Sequence, residues 1–308
     1  MHDNNRSEKR TKNEKQRHMR RYRISLILTI SFGLTFIISA TMLVLHYAQL
    51  AREDKALREL AAAIPDANIT GNSTGNTTGK SVSTGDTEVQ LQPNQPPAIL
   101  ERYRKLHEQN TDMVGWIRID GTRINYPVMY TGDDFYLSHG FDKKNSKSGV
   151  PFIDKRCTVN PFGTNTIIYG HHMRNGTMFA DLLKYADKEF FTEHPIIQFD
   201  TLYEQQKYEI IAVFRSQIYN KNDEVFKFYN FINADNATAF DEYINNIKEL
   251  SLYDTGVTAS YGDELLTLVT CSYHTRNGQF VVVARKQKEQ PLFKTTNRIG
   301  DILLSYWL

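Results

Sequence analysis

Residues 265–280 read "LLTLVTCSYHTRNGQF" and contain one of only two cysteines in a chain of 308 residues. The stretch opens with apolar residues and threonines, which is typical of a β-strand. An Asn-Gly pair at 277–278 is a hairpin signal, and a second apolar run follows it at 279–286. The stretch therefore predicts two paired strands, with Cys271 at the end of the first, where side chains emerge at the rim of a sheet.

Strand-like runs recur beyond residue 97 and outnumber the helices. They lie at 113–119, 124–130, 165–169, 195–201, 207–218, 263–272 and 279–286. Helices are predicted at 97–110, near 178–193 and near 237–250, the last with an apolar stripe formed by Phe240, Tyr243, Ile244, Ile247 and Leu250. We therefore predict a mainly β fold with helical insertions, in the form of a closed or nearly closed β-barrel.

The N-terminal region reads as a membrane anchor. Residues 24–45 carry no charged side chain, and a helix of this length crosses a hydrocarbon core of about 30 Å. A cleaved signal peptide is the alternative, but its apolar core is usually about 7–15 residues and precedes a small-residue cleavage site. Residues 1–23 hold nine Lys/Arg against three Asp/Glu, which predicts a cytoplasmic N-terminus and no nucleic-acid role for this basic arm.

Composition divides the rest of the chain into three parts, all expected outside a single-pass cell membrane. Residues 46–64 are rich in Ala, Leu, Glu and Arg and predict a juxtamembrane helix. Residues 65–97 consist largely of Gly, Ser, Thr, Asn and Pro and predict a flexible linker. Residues 98–308 then form the extracellular folded domain, with a C-terminal extension at 287–308 whose role the sequence leaves open.

Cys271 is the candidate nucleophile, because a thiol at a strand end becomes reactive once a base or a cation lies beside it. A small buried hydrophobe is the alternative reading of any lone cysteine. Cys157 is interpreted as a loop or rim residue. Two cysteines are too few for a disulfide framework, although counting alone leaves a Cys157–Cys271 bridge open.

Four histidines are candidates for the base on the outer side of the membrane: His139, His171, His172 and His194. Spacing alone does not choose among them, although "NTIIYGHHM" (165–173) is the most informative segment, since Gly170 allows close approach just before His171. If His171 is the base, His172→Ala is expected to retain substantial activity, because adjacent residues on a strand point apart. For the same reason, the His171–His172 pair predicts no metal site.

Two motifs resemble one known family. "TLVTC" (267–271) resembles the Thr-Leu-x-Thr-Cys signature of sortases, and "IIYGHHM" (167–173) resembles the Gly-His segment of their class B branch. Three further segments are similar to class B sortases and occur in the same order: "DMVGWIRIDGTRINYPV" (112–128), "GVPFIDKRC" (149–157) and "FVVVARK" (280–286). The resemblance covers nearly all of 98–286 and implies an eight-stranded barrel outside the cell, behind a membrane anchor and a tether.

The resemblance also implies an activity, that of a cysteine transpeptidase without a cofactor or metal. Cys271 would be the nucleophile and His171 the acid and base. The substrates would be surface proteins or pilins with a C-terminal sorting motif. Their acyl group would pass through a thioester to an amine acceptor, which is a cell-wall precursor or a pilin lysine. A catalytically weakened binding or scaffolding module, and a thiol protease that only hydrolyses, are the alternatives.

One position departs from the family pattern. Sortases place an arginine just before the apolar run of the strand after the cysteine, and here that position is Gln279. Arg276 is the second candidate for the role of the arginine in holding substrate and oxyanion. A two-residue Asn277-Gly278 hairpin would oppose Arg276 to Gln279 and turn both away from the Cys271 face, whereas a longer loop would remove that restriction.

Overall fold

A long N-terminal helix precedes the barrel. The computed structural model describes residues 3–64 and 98–288, so the predicted linker at 65–97 and most of the extension at 287–308 lie outside the described residues. Helix α1 (Asp3–Ala62) runs without a break through the predicted arm, anchor and juxtamembrane helix. Its part Met19–Ala62 contains an 18-residue window with a mean hydropathy of 2.2 and is, by length and composition, a candidate membrane span. The boundaries between these N-terminal segments stay predictions.

The folded domain is a closed barrel of eight strands. The strands are β1 (Met113–Arg118), β2 (Asn125–Met129), β3 (Phe152–Ile153), β4 (Asn165–Tyr169), β5 (Ile196–Thr201), β6 (Lys207–Gln217), β7 (Leu265–Cys271) and β8 (Gly278–Lys286). They close in the order β1-β2-β3-β4-β7-β8-β6-β5. The predicted mainly β barrel is therefore confirmed. Pattern reading missed only β3, because two residues are too few to show an alternating pattern.

Three α-helices belong to the folded domain. Helix α2 (Glu101–Gln109) precedes β1, α3 (Lys188–Glu193) lies between β4 and β5, and α4 (Ala237–Leu250) lies between β6 and β7. The helix predicted near 178–193 is instead a 3₁₀ helix at Phe179–Ala186 followed by α3, whose first turn is capped by Asp187. The bounds of α4 agree with the prediction, but Leu250 is 46% exposed. The apolar stripe thus ends one turn early, at Ile247, because Leu250 is the last residue of the helix.

The parallel pair β4–β7 carries the two segments that the sequence singled out. Its register runs from Asn165 beside Leu265 to Tyr169 beside Val269. A threonine side chain reinforces it at each end. The Thr267 hydroxyl donates to Asn165 Oδ1 at 2.8 Å, and the Thr270 hydroxyl donates to the Gly170 carbonyl at 2.7 Å. Both threonines of "TLVTC" therefore hold β7 against β4.

The turn between β7 and β8 is longer than a tight hairpin. The antiparallel register places Cys271 opposite Gln279, which leaves a loop that spans Ser272–Asn277 before β8 begins. The Asn-Gly pair closes this loop, with Asn277 in the left-handed region at φ 56°. The two-residue hairpin considered from the sequence is therefore wrong, and Arg276 does not lie opposite Gln279.

The hydrogen bond between Thr267 and Asn165 predicts that two threonine-to-valine variants differ in the stability of the folded protein. Thr267→Val keeps the β-branched shape but leaves Asn165 Oδ1, in a side chain only 1% exposed, without its donor. We expect the free energy of unfolding to fall by about 1–3 kcal/mol, measured by urea titration of the full chain in detergent with circular dichroism. Thr166→Val is the control, because Thr166 is buried in β4 but its hydroxyl makes no hydrogen bond among the described residues. Equal stability of the two variants would contradict this role.

Candidate active site

Cys271 lies at the end of the barrel with an exposed, free thiol. Six residues of β7 before it are buried, and Cys271 is the first to reach solvent. Cys271 is exposed because β7 ends at this residue and the chain continues into the Ser272–Asn277 loop. The strand therefore presents a single sulfur at its open end, as the sequence pattern predicted.

Cys157 has a different environment, although its thiol is also free. The residue is only 3% exposed. Its sulfur accepts a hydrogen bond from the Ile167 N–H and donates to the Asn165 carbonyl, both at 3.5 Å. Burial raises the pKa of the Cys157 thiol to about 11. Cys157 therefore lies in the loop between β3 and β4, as interpreted from the sequence, and its thiol is buried there against the β4 backbone. Both cysteines are free, so the Cys157–Cys271 disulfide that the sequence left open is not formed.

His171 follows β4 directly and is held on two sides. Cys271 ends β7 two residues beyond Val269, the partner of Tyr169, so His171 and Cys271 lie at the same end of this parallel pair. Gly170 lies against the buried Phe179 ring, where a Cβ atom would come within 2.6 Å. On the other side, His171 Nε2 lies 2.8 Å from the Leu137 carbonyl oxygen. A carbonyl only accepts, so Nε2 carries the proton and Nδ1 is the ring nitrogen left for chemistry.

A compact loop presents the Leu137 carbonyl. Leu137 ends the 3₁₀ helix Phe135–Leu137, whose Tyr136 is fully buried. Gly149 packs beneath it at φ 56°, and a Cβ at this position would approach the Leu137 oxygen to 2.8 Å. Only glycine satisfies both conditions at once. The orientation of His171 thus depends on a segment more than thirty residues earlier in the chain.

His172 also reaches the site. Its Nδ1 lies 3.1 Å from the carbonyl oxygen of Cys271, and its ring is 5.3 Å from that of Tyr273. His139 and His194 have other partners, since His139 stacks on Phe135 and the His194 ring packs on Phe190. The structure therefore brings Cys271, His171 and His172 to one end of the β4–β7 pair.

Gln279 and Arg276 differ in their position relative to Cys271 and in their exposure to solvent. Because Gln279 is paired with Cys271 across β7 and β8, the two side chains share a face of the sheet. Gln279 is only 9% exposed, and its Oε1 is buried without a hydrogen-bond partner. Arg276 is exposed in the loop and has no ion pair or hydrogen bond among the described residues. Gln279 therefore lies beside Cys271, whereas Arg276 is exposed in the loop that precedes β8.

Sequence reasoning missed three of these contacts. They are the Leu137 carbonyl, the Cys271 carbonyl beneath His172, and the Thr270 hydroxyl on Gly170. Two of the three groups belong to the backbone, which has no residue-type signal. No cluster of three or more His, Cys, Asp or Glu able to hold a metal occurs in the described parts of the chain.

Known proteins match this chain in sequence and in structure. The Sortase domain family model matches residues 117–287. Sortase B of Listeria monocytogenes is 36% identical over 176 residues, which are 56% of this chain and 68% of that protein. Sortase B from Bacillus anthracis, solved in complex with AAEK1, gives a TM-score of 0.60 at 27% identity, covering 79% of this chain and 99% of that one.

A second solved structure is a Staphylococcus aureus sortase B–substrate complex. It gives a TM-score of 0.56 at 29% identity, covering 62% of this chain and 87% of that one. The family model spans more than half of the chain, and the match to the Listeria protein extends over two thirds of its length. This chain therefore belongs to the sortase family of cysteine transpeptidases, in its class B branch.

Proposed function

We propose that this protein cleaves a sorting motif near the C-terminus of surface proteins and transfers the acyl group to an amine, with Cys271 as the nucleophile. The observation that carries this assignment is the contrast between the two thiols. Cys271 is exposed beside the histidine segment, whereas Cys157 is buried with its pKa raised to about 11. Only the thiolate is nucleophilic. The family membership and the solved substrate complex of a relative support the substrate class.

The chemistry has two half-reactions. The Cys271 thiolate attacks a threonyl carbonyl, and the tetrahedral intermediate collapses when His171 gives a proton to the departing amine. A thioester to Cys271 remains, and His171 is then neutral. The incoming amine attacks the thioester, loses a proton to His171 and releases the Cys271 thiolate. The Leu137 carbonyl keeps Nε2–H occupied, so each proton passes through Nδ1.

Gln279 is proposed to take the place of the family arginine. It lies opposite Cys271, where one amide N–H can be donated to the oxyanion. A neutral donor stabilises developing charge less than a guanidinium does. Transfer is therefore expected to be slow. Arg276 is the weaker candidate, because its side chain is exposed and without a partner among the described residues.

The anchor is proposed to hold the enzyme on the outer face of a cell membrane. The charge step at residue 23 and the apolar run at 24–45 support an inside N-terminus. The acyl donors would be surface proteins or pilins, and the acceptor a cell-wall precursor or a pilin lysine. These partners come from the family resemblance.

The first test separates the two cysteines. Full chain in detergent is incubated with a panel of peptides that vary the residues around a central threonine, with hydroxylamine as the amine, and the products are identified by mass spectrometry. We expect Cys271→Ala and His171→Ala to abolish transfer, because they remove the nucleophile and the proton donor. Cys157→Ala should retain most of the activity.

The outcomes distinguish the alternatives. A dead Cys157→Ala variant with an active Cys271→Ala variant would reverse the assignment. Hydrolysis without any hydroxamate product would favour a thiol protease. No acyl-enzyme with any peptide would favour a binding module that retains only the fold.

The second test decides which residue serves the oxyanion. Loss of one such donor costs on the order of 10²–10³ in rate in other enzymes, so Gln279→Arg should raise the turnover number measurably. Arg276→Ala should change it less than about twofold, since exposed side chains contribute little. A large loss of turnover in Arg276→Ala, together with no gain of turnover in Gln279→Arg, would assign the role to Arg276 instead.

The third test concerns orientation. Protease added to intact cells that express the full chain should remove the barrel domain, detected by an antibody to residues 98–288. The matched control is the same treatment after the cells are permeabilised, when the basic arm at 1–23 should also be digested. Full protection of the barrel in intact cells would place it in the cytoplasm.

A further inference from the structure

The hydrogen-bond ladder between β4 and β7 stops before it reaches the carbonyl of Cys271. The Gly170 N–H donates to the Val269 carbonyl at 3.1 Å, and the next bond of the same series would join the N–H of residue 172 to the Cys271 carbonyl. That bond is absent from the backbone–backbone bonds of the described residues, because the chain turns away from β7. The His171 carbonyl instead accepts from Phe179, and His172 forms an isolated bridge with Met178. The Cys271 carbonyl is therefore left without a backbone partner among the described residues.

The side chain of His172 provides the hydrogen-bond donor that the backbone does not supply to the Cys271 carbonyl. Its Nδ1 lies 3.1 Å from the Cys271 oxygen, and since a carbonyl has no proton to give, Nδ1 must be the donor. The opposite edge of the same peptide group is also held, because the Ser272 N–H donates to the Gly278 carbonyl at 2.8 Å. The peptide plane that follows Cys271 is thus fixed on one edge by an imidazole and on the other by the backbone of β8.

We infer that His172 is a positioning residue, which fixes the backbone of Cys271 through its Nδ1–H and so sets the direction of the thiol towards His171. The inference rests on the proposed role of Cys271 as nucleophile. It also lowers the activity expected of His172→Ala, which the alternation of side chains along a strand predicts to be substantial.

Neighbouring groups agree with this role. The Tyr273 ring, 72% exposed, lies 5.3 Å from the His172 ring at an interplanar angle of 38°. The other imidazole of the site is oriented by a carbonyl too, but through its opposite nitrogen, Nε2. The two adjacent histidines are therefore expected in different tautomers. His171 leaves Nδ1 open for proton transfer, and His172 uses Nδ1 to hold the backbone.

A substitution series in the full chain tests the inference. In His172→Asn the amide nitrogen would take the place of the imidazole Nδ1, whereas in His172→Gln the longer side chain carries its amide to the position of Nε2. We therefore expect His172→Ala and His172→Gln to lower kcat about five- to tenfold, with KM for an accepted threonine peptide within about twofold. His172→Asn should restore most of kcat, and Tyr273→Ala should have a smaller effect. Equal kcat in the Ala and Asn variants would overturn the inference.

A spectroscopic readout covers the case in which the variants fold poorly. Nitrogen-15 spectra of the unsubstituted full chain, labelled at its histidines, should show His172 as the Nδ1–H tautomer and His171 as the Nε2–H tautomer. His172 found as the Nε2–H tautomer would refute the bond to Cys271. This result is independent of turnover, so it is distinct from a failure of the proposed function, which would appear as transfer that survives Cys271→Ala.

Discussion

The pairing of β4 with β7 is the interaction on which the site depends. Parallel strands cannot be joined by a tight turn, so the two segments come from positions about 100 residues apart and meet only when the barrel closes. The hydroxyls of Thr267 and Thr270 fasten this pair at its two ends. A slip of one residue would turn Cys271 to the other face of the sheet. The register therefore fixes which side chains meet at the rim.

Desolvation gives the two cysteines of this chain different chemical properties. Burial disfavours a charged thiolate, and Cys157 is buried against the β4 backbone with its pKa raised to about 11. Cys271 reaches solvent only because β7 ends at that residue. The point at which β7 ends therefore determines that the Cys271 thiol is exposed to solvent, whereas the Cys157 thiol is buried. The same boundary gives Cys271 a backbone carbonyl that no strand can pair.

Periodicity predicted most of the strands and the position of Cys271 at a rim, since both follow from local runs of apolar residues. The rest depends on long-range geometry. The length of the Ser272–Asn277 loop could not be predicted, because an Asn-Gly pair closes long loops as well as tight hairpins. The orientation of His171 depends on a carbonyl at Leu137, and carbonyls are common to all residues. Strand β3 has only two residues, which is below the length at which a pattern exists.

Gln279 places a neutral amide opposite Cys271, at the position where the family pattern has an arginine. Its Oε1 is one of three buried side-chain atoms without a hydrogen-bond partner among the described residues, and the only one of the three opposite Cys271. An unpaired buried acceptor costs about 1–3 kcal/mol, and the few that native structures keep are found at functional sites among other places. A guanidinium only donates, whereas an amide both donates and accepts. In the proposed role, Gln279 therefore offers a substrate both a donor and an acceptor, whereas an arginine would offer donors alone.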